Sequence, residues 1–191
     1  MRLVTYGAAC SLDGFIAKTD GNVDWLRFTP DAQAVMRDSW SRIDTILMGR
    51  KTYEVAAGSG AGGGGTPGIT SYVFSRTLEK LPHRGAELVR QDAAGFVRAL
   101  KQKPGKEICV MGGGDFARSL IEAGVVDEIG INVHPVLLGS GVPLFLDPRR
   151  QVDLELTECR QMAEGCVLLR YRVAPAVAKP RAGAAARRAK R

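Results

Sequence analysis

Residues 43–53, IDTILMGRKTY, and residues 107–117, EICVMGGGDFA, each hold an apolar run that breaks at glycine and passes into a helix-like pattern. A strand, a tight turn and a helix start, met twice in one short chain, favour strand–helix alternation around a mainly parallel sheet, because parallel neighbours need a crossover between them. After Met48 the chain supplies Gly49, Arg50, Lys51 and Thr52, so N–H groups, cations and a hydroxyl gather where a helix points its positive end. After Met111 it supplies Gly112, Gly113 and Gly114 ahead of an apolar periodic stretch that reaches Ile121. Glycine lets a backbone approach a ligand closely. Two anion seats suit a molecule with several phosphates, and a dinucleotide is the expected occupant.

The remaining segments extend this pattern. Residues 2–10 read as an opening strand, and Phe15, Ile16 and Ala17 return after the turn pair Asp13-Gly14. Thr29 is placed to cap a helix with Pro30 at its first position, and Ala32, Val35, Met36 and Trp40 recur at helical spacing. Residues 58–68, GSGAGGGGTPG, form a low-complexity loop whose internal GxGxxG match has no strand before it. Strands are expected at 69–75, 86–89, 107–111 and 127–133, and helices at 92–102 and 114–123. Val152, Leu154 and Leu156, then Val167, Leu169, Tyr171 and Val173, alternate with polar residues about a Glu164-Gly165 turn, which is an antiparallel hairpin closing a mixed sheet.

Bulk properties exclude several function classes. With 191 residues and 45% hydrophobic content the chain makes one domain, and no apolar run approaches the ~20 residues that cross a bilayer. It opens on RLVTYGAAC without a signal-peptide core, so a cytoplasmic location is expected. Cys10, Cys109, Cys159 and Cys166 form no CxxC pair, and His83 and His134 are the only histidines, which leaves little for a zinc site or a serine triad; no metal is expected. Six lysine and arginine charges lie beyond residue 173 with no acid among them, leaving the body at +1 of the total +7. Residues 174–191 therefore read as a solvated basic tail, capable of weak nonspecific contact with nucleic acid.

Four stretches carry a family resemblance: SLDGFIA at 11–17, DTILMGRKTYE at 44–54, VFSR at 73–76 and VMGGGDFARSLIEAGVVDEIGINVHPVLLGSGVPLF at 110–145. In order and spacing they resemble the riboflavin-biosynthesis reductase C-terminal domain family. The resemblance covers residues 2–173 and implies a dihydrofolate reductase-like α/β fold that reduces small heterocycles with NADPH, with a homodimer suggested. A GxGxxA match at 112–117 also fits a Rossmann turn, but the following strand ends in Val133, His134 and Pro135 without the ribose-binding acid, so that fold is set aside.

What the resemblance implies for the site follows residue by residue. In the resembled reductases the positions of Arg50 and Arg76 clasp the adenosine 2′-phosphate, which implies NADPH over NADH. Gly49, Lys51, Thr52 and Ser75 accompany them, and Met111, Gly112, Gly113, Gly114 and Asp115 form the second cofactor contact. A proton must accompany the hydride, and Asp13 in SLDG is the first candidate donor, though an Asp-Gly pair also serves a turn. Asp31 is the second, since folate reductases carry an acid shortly after a tryptophan at a helix start; a first-turn helix acid is its plainer role. Trp25 is expected to wall the substrate pocket and Tyr53 to lie near the cofactor or pack the helix. Two departures touch the substrate: the riboflavin enzymes' phosphoribosyl-binding lysine is replaced by Gly7, and a zinc deaminase half is absent. A pterin-like or ribosylaminopyrimidine-like heterocycle is the leading substrate class. The phosphoribosylaminouracil of riboflavin synthesis and an NADPH-binding module without turnover are the alternatives.

Overall fold

The structure, a computed structural model, describes residues 1–58, 66–112, 114–146 and 151–174. Gly113, most of the glycine-rich loop and the expected basic tail from 175 onward lie outside the described residues. The chain runs β1 (Val4–Ser11), β2 (Phe15–Ala17), α1 (Pro30–Arg42), β3 (Ile43–Gly49), α2 (Arg50–Gly58), β4 (Thr70–Phe74) and β5 (Ala86–Val89). It continues α3 (Ala93–Lys101), β6 (Glu107–Met111), α4 (Gly114–Glu122), β7 (Glu128–His134), β8 (Val142–Pro143), β9 (Leu154–Gln161) and β10 (Val167–Val173). The expected helix start at Thr29 is present: its hydroxyl accepts from the Ala32 N–H at 3.3 Å with Pro30 in the first turn, a cap worth about 1 kcal/mol. Asp92 caps α3 in the same way through Gly95 at 2.6 Å.

One eight-stranded sheet organises these elements in the order β5-β4-β3-β6-β1-β7-β10-β9. Neighbours from β5 through β7 are parallel, and β10 runs against both β7 and β9. The hairpin turn uses left-handed backbone at Glu164 (φ 56°) and Gly165 (φ 77°), where the sequence places its turn pair. A small second sheet pairs β2 with β8.

Side-chain alternation gives the sheet two covered faces. Val4, Tyr6, Leu47, Val110, Ile129 and Ile131 point to one side and pack with Val97 and Leu100 of α3 and Ala117, Leu120 and Ile121 of α4. On the other side Ile43, Ile46, Met48 and Val73 pack with Tyr53 of α2. Burying a side chain of this size contributes about 1.5–3 kcal/mol, so these two layers hold the sheet. Helix α1 differs, because Ala32 is its only fully buried residue. Its neighbours on the sheet are Gly7 and Ala9 of β1 and Gly130 of β7, side chains too small to fill the space beneath a helix. Strand β9 is an uncovered edge, with Leu154 at 42% and Leu156 at 54% exposure. Among the described residues no helix is long and apolar enough to cross a membrane, and no cluster of histidine, cysteine and acids could hold a metal ion.

Candidate active site

The two glycine turns predicted from sequence meet. Met48 of β3 pairs with Met111 of β6, so the helices that follow these strands, α2 and α4, begin side by side at the carboxyl edge of the sheet. Gly112, at φ 92°, faces Thr52 so closely that a Cβ there would strike the Thr52 hydroxyl and lie 3.0 Å from its Cβ. Gly114 is also left-handed, at φ 67°. Glycine at these positions leaves bare backbone at two adjacent helix starts, a cradle that suits a phosphate. Strand β4 adds the cations: Gly49 pairs with Phe74, so Arg50 and Arg76 leave adjacent strand ends. Arg50 is held by an exposed ion pair with Glu54 at 2.7 Å, and Arg76 is exposed. The Ser75 hydroxyl accepts from the N–H groups of Thr77 (3.2 Å) and Leu78 (3.0 Å) and so shapes the turn that presents Arg76. Lys51 is exposed at the same rim. The Asp115 carboxylate pairs with Arg118 at 2.6 Å, which leaves its backbone N–H as its contribution to the cradle.

A cavity of about 330 Å³ lies between α1 and the sheet, lined by Gly7, Ala9, Ala32, Met36, Met111, Gly130, Asn132 and His134 among others. Met111 is the hinge of the arrangement: it lines this cavity, and the next residue is the glycine of the phosphate cradle. Glu107 and Glu128 also line the cavity; Glu107 begins β6, roughly 13 Å along the strand before Met111, while Glu128 is level with Cys109, roughly 7 Å before it. Three arginines reach the lining, and each meets an acid: Arg27 with Glu164, Arg42 with Asp38 and Glu107, Arg170 with Glu158.

The carboxyl groups expected to supply a proton are tethered instead. Asp13 accepts from the Ser11 hydroxyl at 2.5 Å and from the backbone N–H groups of Leu138 and Gly139, the latter at 2.7 Å. These bonds, the Ser11 hydroxyl first, hold its pKa below the usual carboxylate range and clasp the SLDG turn to the loop after β7. Asp31 accepts from the Thr29 hydroxyl and from the Ala163 N–H at 2.7 Å, and the Thr29 bond leads in lowering its pKa. It ties the start of α1 to the β9–β10 turn. The first-turn side chain that faces the cavity is Ala32, one residue on. Tyr53 is a core residue at 1% exposure, its hydroxyl bonded to the backbone of His83. Trp25 stands edge-on to His134 with ring centroids 5.4 Å apart, behind the lining.

Sequence reasoning missed Asn132 and His134. The signal was present in GINVH at 130–134, where glycine, asparagine and histidine alternate with apolar residues on a strand buried between neighbours, so one inward face is polar.

Residues 2–168 match the RibD C-terminal domain family. The chain is 33% identical over 181 residues to the uncharacterized protein YyaP of Bacillus subtilis (strain 168), covering 89% of this chain and 94% of that one. A putative riboflavin biosynthesis protein from Shewanella sp. PV-4 superposes with a TM-score of 0.76 at 24% identity, covering 91% of this chain and 99% of the other. Dihydrofolate reductase from Enterococcus faecalis, solved with NADP(H), superposes with a TM-score of 0.67 at 18% identity, over 90% of this chain and 96% of its own. These two structures share the fold.

Proposed function

Because the chain belongs to the RibD C-terminal domain family, we propose that it is an NADPH-dependent reductase of a small flat heterocycle, acting on a C=N or C=O bond. The observation that carries this reading is the adjacency at Met111 and Gly112, where an anion cradle opens directly beside an apolar cavity. NADPH, when bound, supplies the hydride. The cradle at Gly112 and Gly114 and the α2 start would hold its phosphates, and Arg50 and Arg76 its 2′-phosphate. The small floor of Gly7, Ala9 and Gly130 leaves room for a planar ring. A phosphoribosyl substituent is less well provided for, since Gly7 stands where the riboflavin enzymes carry a lysine and brings no cation. A pterin-like heterocycle therefore fits better than the phosphoribosylaminouracil. Titration calorimetry with NADPH, followed by loss of the reduced-nicotinamide absorbance with dihydrofolate, the phosphoribosylaminouracil and simple imines, tests the assignment. Absence of NADPH heat from folded protein overturns it, and tight binding without turnover on any candidate supports the binding-module alternative.

In this reading Asp13 and Asp31 are ionised turn clasps and neither is the proton donor. Replacing each with Asn should leave the shape of the turnover–pH profile unchanged while lowering Tm at pH 7. Both folded-state pKa values lie below the unfolded ones, so the stability these carboxylates confer is full above about pH 4 and is lost as pH falls through the folded values. The Tm gap between wild type and variants should therefore narrow on acidification. A variant with unchanged Tm and an altered profile would restore that aspartate as the donor.

A further inference from the structure

Arg27, Arg42, Glu107, Glu128 and Arg170 are the charged side chains on the cavity lining. Each arginine meets an acid: Arg27 lies 3.9 Å from Glu164, Arg170 lies 2.9 Å from Glu158, and Arg42 sits between Asp38 at 3.3 Å and Glu107 at 3.6 Å. The half-buried Glu128 carboxylate has no ion pair or hydrogen bond among the described residues. The charge left over on the lining is therefore negative.

Strand pairing shows why Glu128 stays unpaired. Thr5 of β1 and Arg172 of β10 stand level with it on either side. Threonine brings no charge, and the Arg172 guanidinium goes to Glu155 at 2.9 Å, with its side chain 57% exposed. The next residue on the same strand face is Gly130, level with Gly7 of β1, roughly 7 Å along. A Cβ on Gly7 would meet nothing within 4 Å, and one on Gly130 would meet only an Arg170 nitrogen at 4.0 Å. Open space thus adjoins the carboxylate on the cavity floor. A carboxylate against an apolar wall attracts a cation more strongly than one in bulk water, because the low-dielectric lining screens it less.

We propose that Glu128 is the specificity residue of the cavity and binds a protonated amine or amidine carried by the substrate, whose ring rests on Gly7 and Gly130 with the cationic substituent directed toward the start of β7. The assignment deepens the reductase reading and rests on the cavity being its substrate site. It narrows the substrate to a flat ring bearing a cationic group, and it disfavours an anionic substituent at the same place.

Benzamidine, benzamide and benzoate are flat and of similar size, and they carry positive, zero and negative charge in turn. Titrated into the full chain and followed on the methionine methyl NMR signals, benzamidine should move Met36 and Met111, which lie on the lining. It should bind about tenfold more tightly than benzamide, the scale of a hydrogen bond to a charged group, and benzoate should bind more weakly than either. Glu128→Gln, nearly isosteric, should bring benzamidine and benzamide within about twofold of each other, because the amide keeps a hydrogen-bonding oxygen and loses the charge. Glu128→Lys should reverse the order and make benzoate the tightest. Glu107→Gln is the control on the same lining: its carboxylate belongs to Arg42, so the preference for benzamidine should persist. Thermal unfolding shows which variants are folded, and the glutamine variant carries the test if the lysine one is not. Equal affinities for benzamidine and benzamide in wild type, binding of none of the three, shifts that miss Met36 and Met111, or a Glu128→Gln variant that keeps the preference would each overturn the proposal. So would a Glu107→Gln variant that loses the preference as fully as Glu128→Gln. NADPH calorimetry on the same samples reads the parent assignment separately: a benzamidine preference without NADPH binding sinks the reductase and leaves the cation site standing.

Discussion

Alanine at position 112 should remove nucleotide binding and lower Tm together. Gly112 sits at φ 92°, a backbone region that costs an L-residue roughly 1–2 kcal/mol. Its new Cβ would also strike the Thr52 side chain, with the Thr52 Cβ 3.0 Å away, and overpacking of that kind costs about 1–3 kcal/mol. The turn can escape only by moving away from α2, which pulls apart the N–H groups that the cradle depends on. NADPH affinity should fall by roughly a hundredfold, equivalent to about 2.7 kcal/mol. Adding Thr52→Ala removes the hydroxyl contact and leaves the φ strain, so the double variant should recover part of the Tm but little of the affinity. Gly112→Ala that binds NADPH as tightly as wild type would show that the two turns do not hold a nucleotide.

The fold was legible because its determinants are local. Thr29-Pro30 caps α1, Asp92 caps α3, and the glycine turns end β3 and β6, each readable within a few residues. The two glycine turns were legible for the same reason, as both lie in short strand–turn–helix segments. Roles that depend on distant partners were not. Asp13 and Asp31 have the residue type of a proton donor, and only the positions of Leu138, Gly139 and Ala163, more than a hundred residues away, turn them into clasps. Tyr53 follows Thr52 by one helical step of about 100°, enough to rotate it from the cradle into the core. The cavity was hidden because it is made by what is missing: Gly7, Ala9 and Gly130 come from separate segments, and nothing in either segment shows that they face one helix. Leu154 and Leu156 alternate as a half-buried strand should, yet β9 is the sheet edge and both side chains are exposed.

Replacing Arg50 and Arg76 together with alanine should abolish discrimination between NADPH and NADH. The two side chains leave neighbouring strand ends, which puts two guanidinium forks within reach of one phosphate. Arg50 has to surrender its bond to Glu54, but an exposed i,i+4 pair is worth only about 0.3–0.5 kcal/mol, whereas a hydrogen bond to a charged group contributes about 1.5–3 kcal/mol. The exchange is therefore favourable, and Glu54→Ala should tighten NADPH a few-fold by releasing Arg50 in advance. Two arginines sharing one phosphate are coupled, so their losses do not simply add. The double variant should weaken NADPH by roughly a hundred- to a thousandfold, while NADH, which has no 2′-phosphate, changes little. The difference should shrink in wild type as salt is raised, because Arg76 is exposed and the Arg50 side chain half-exposed, so both are screened. Parallel losses for the two nucleotides would mean that these arginines act on the backbone of the turn or on the shared pyrophosphate, and the selectivity would then have to come from elsewhere in the rim.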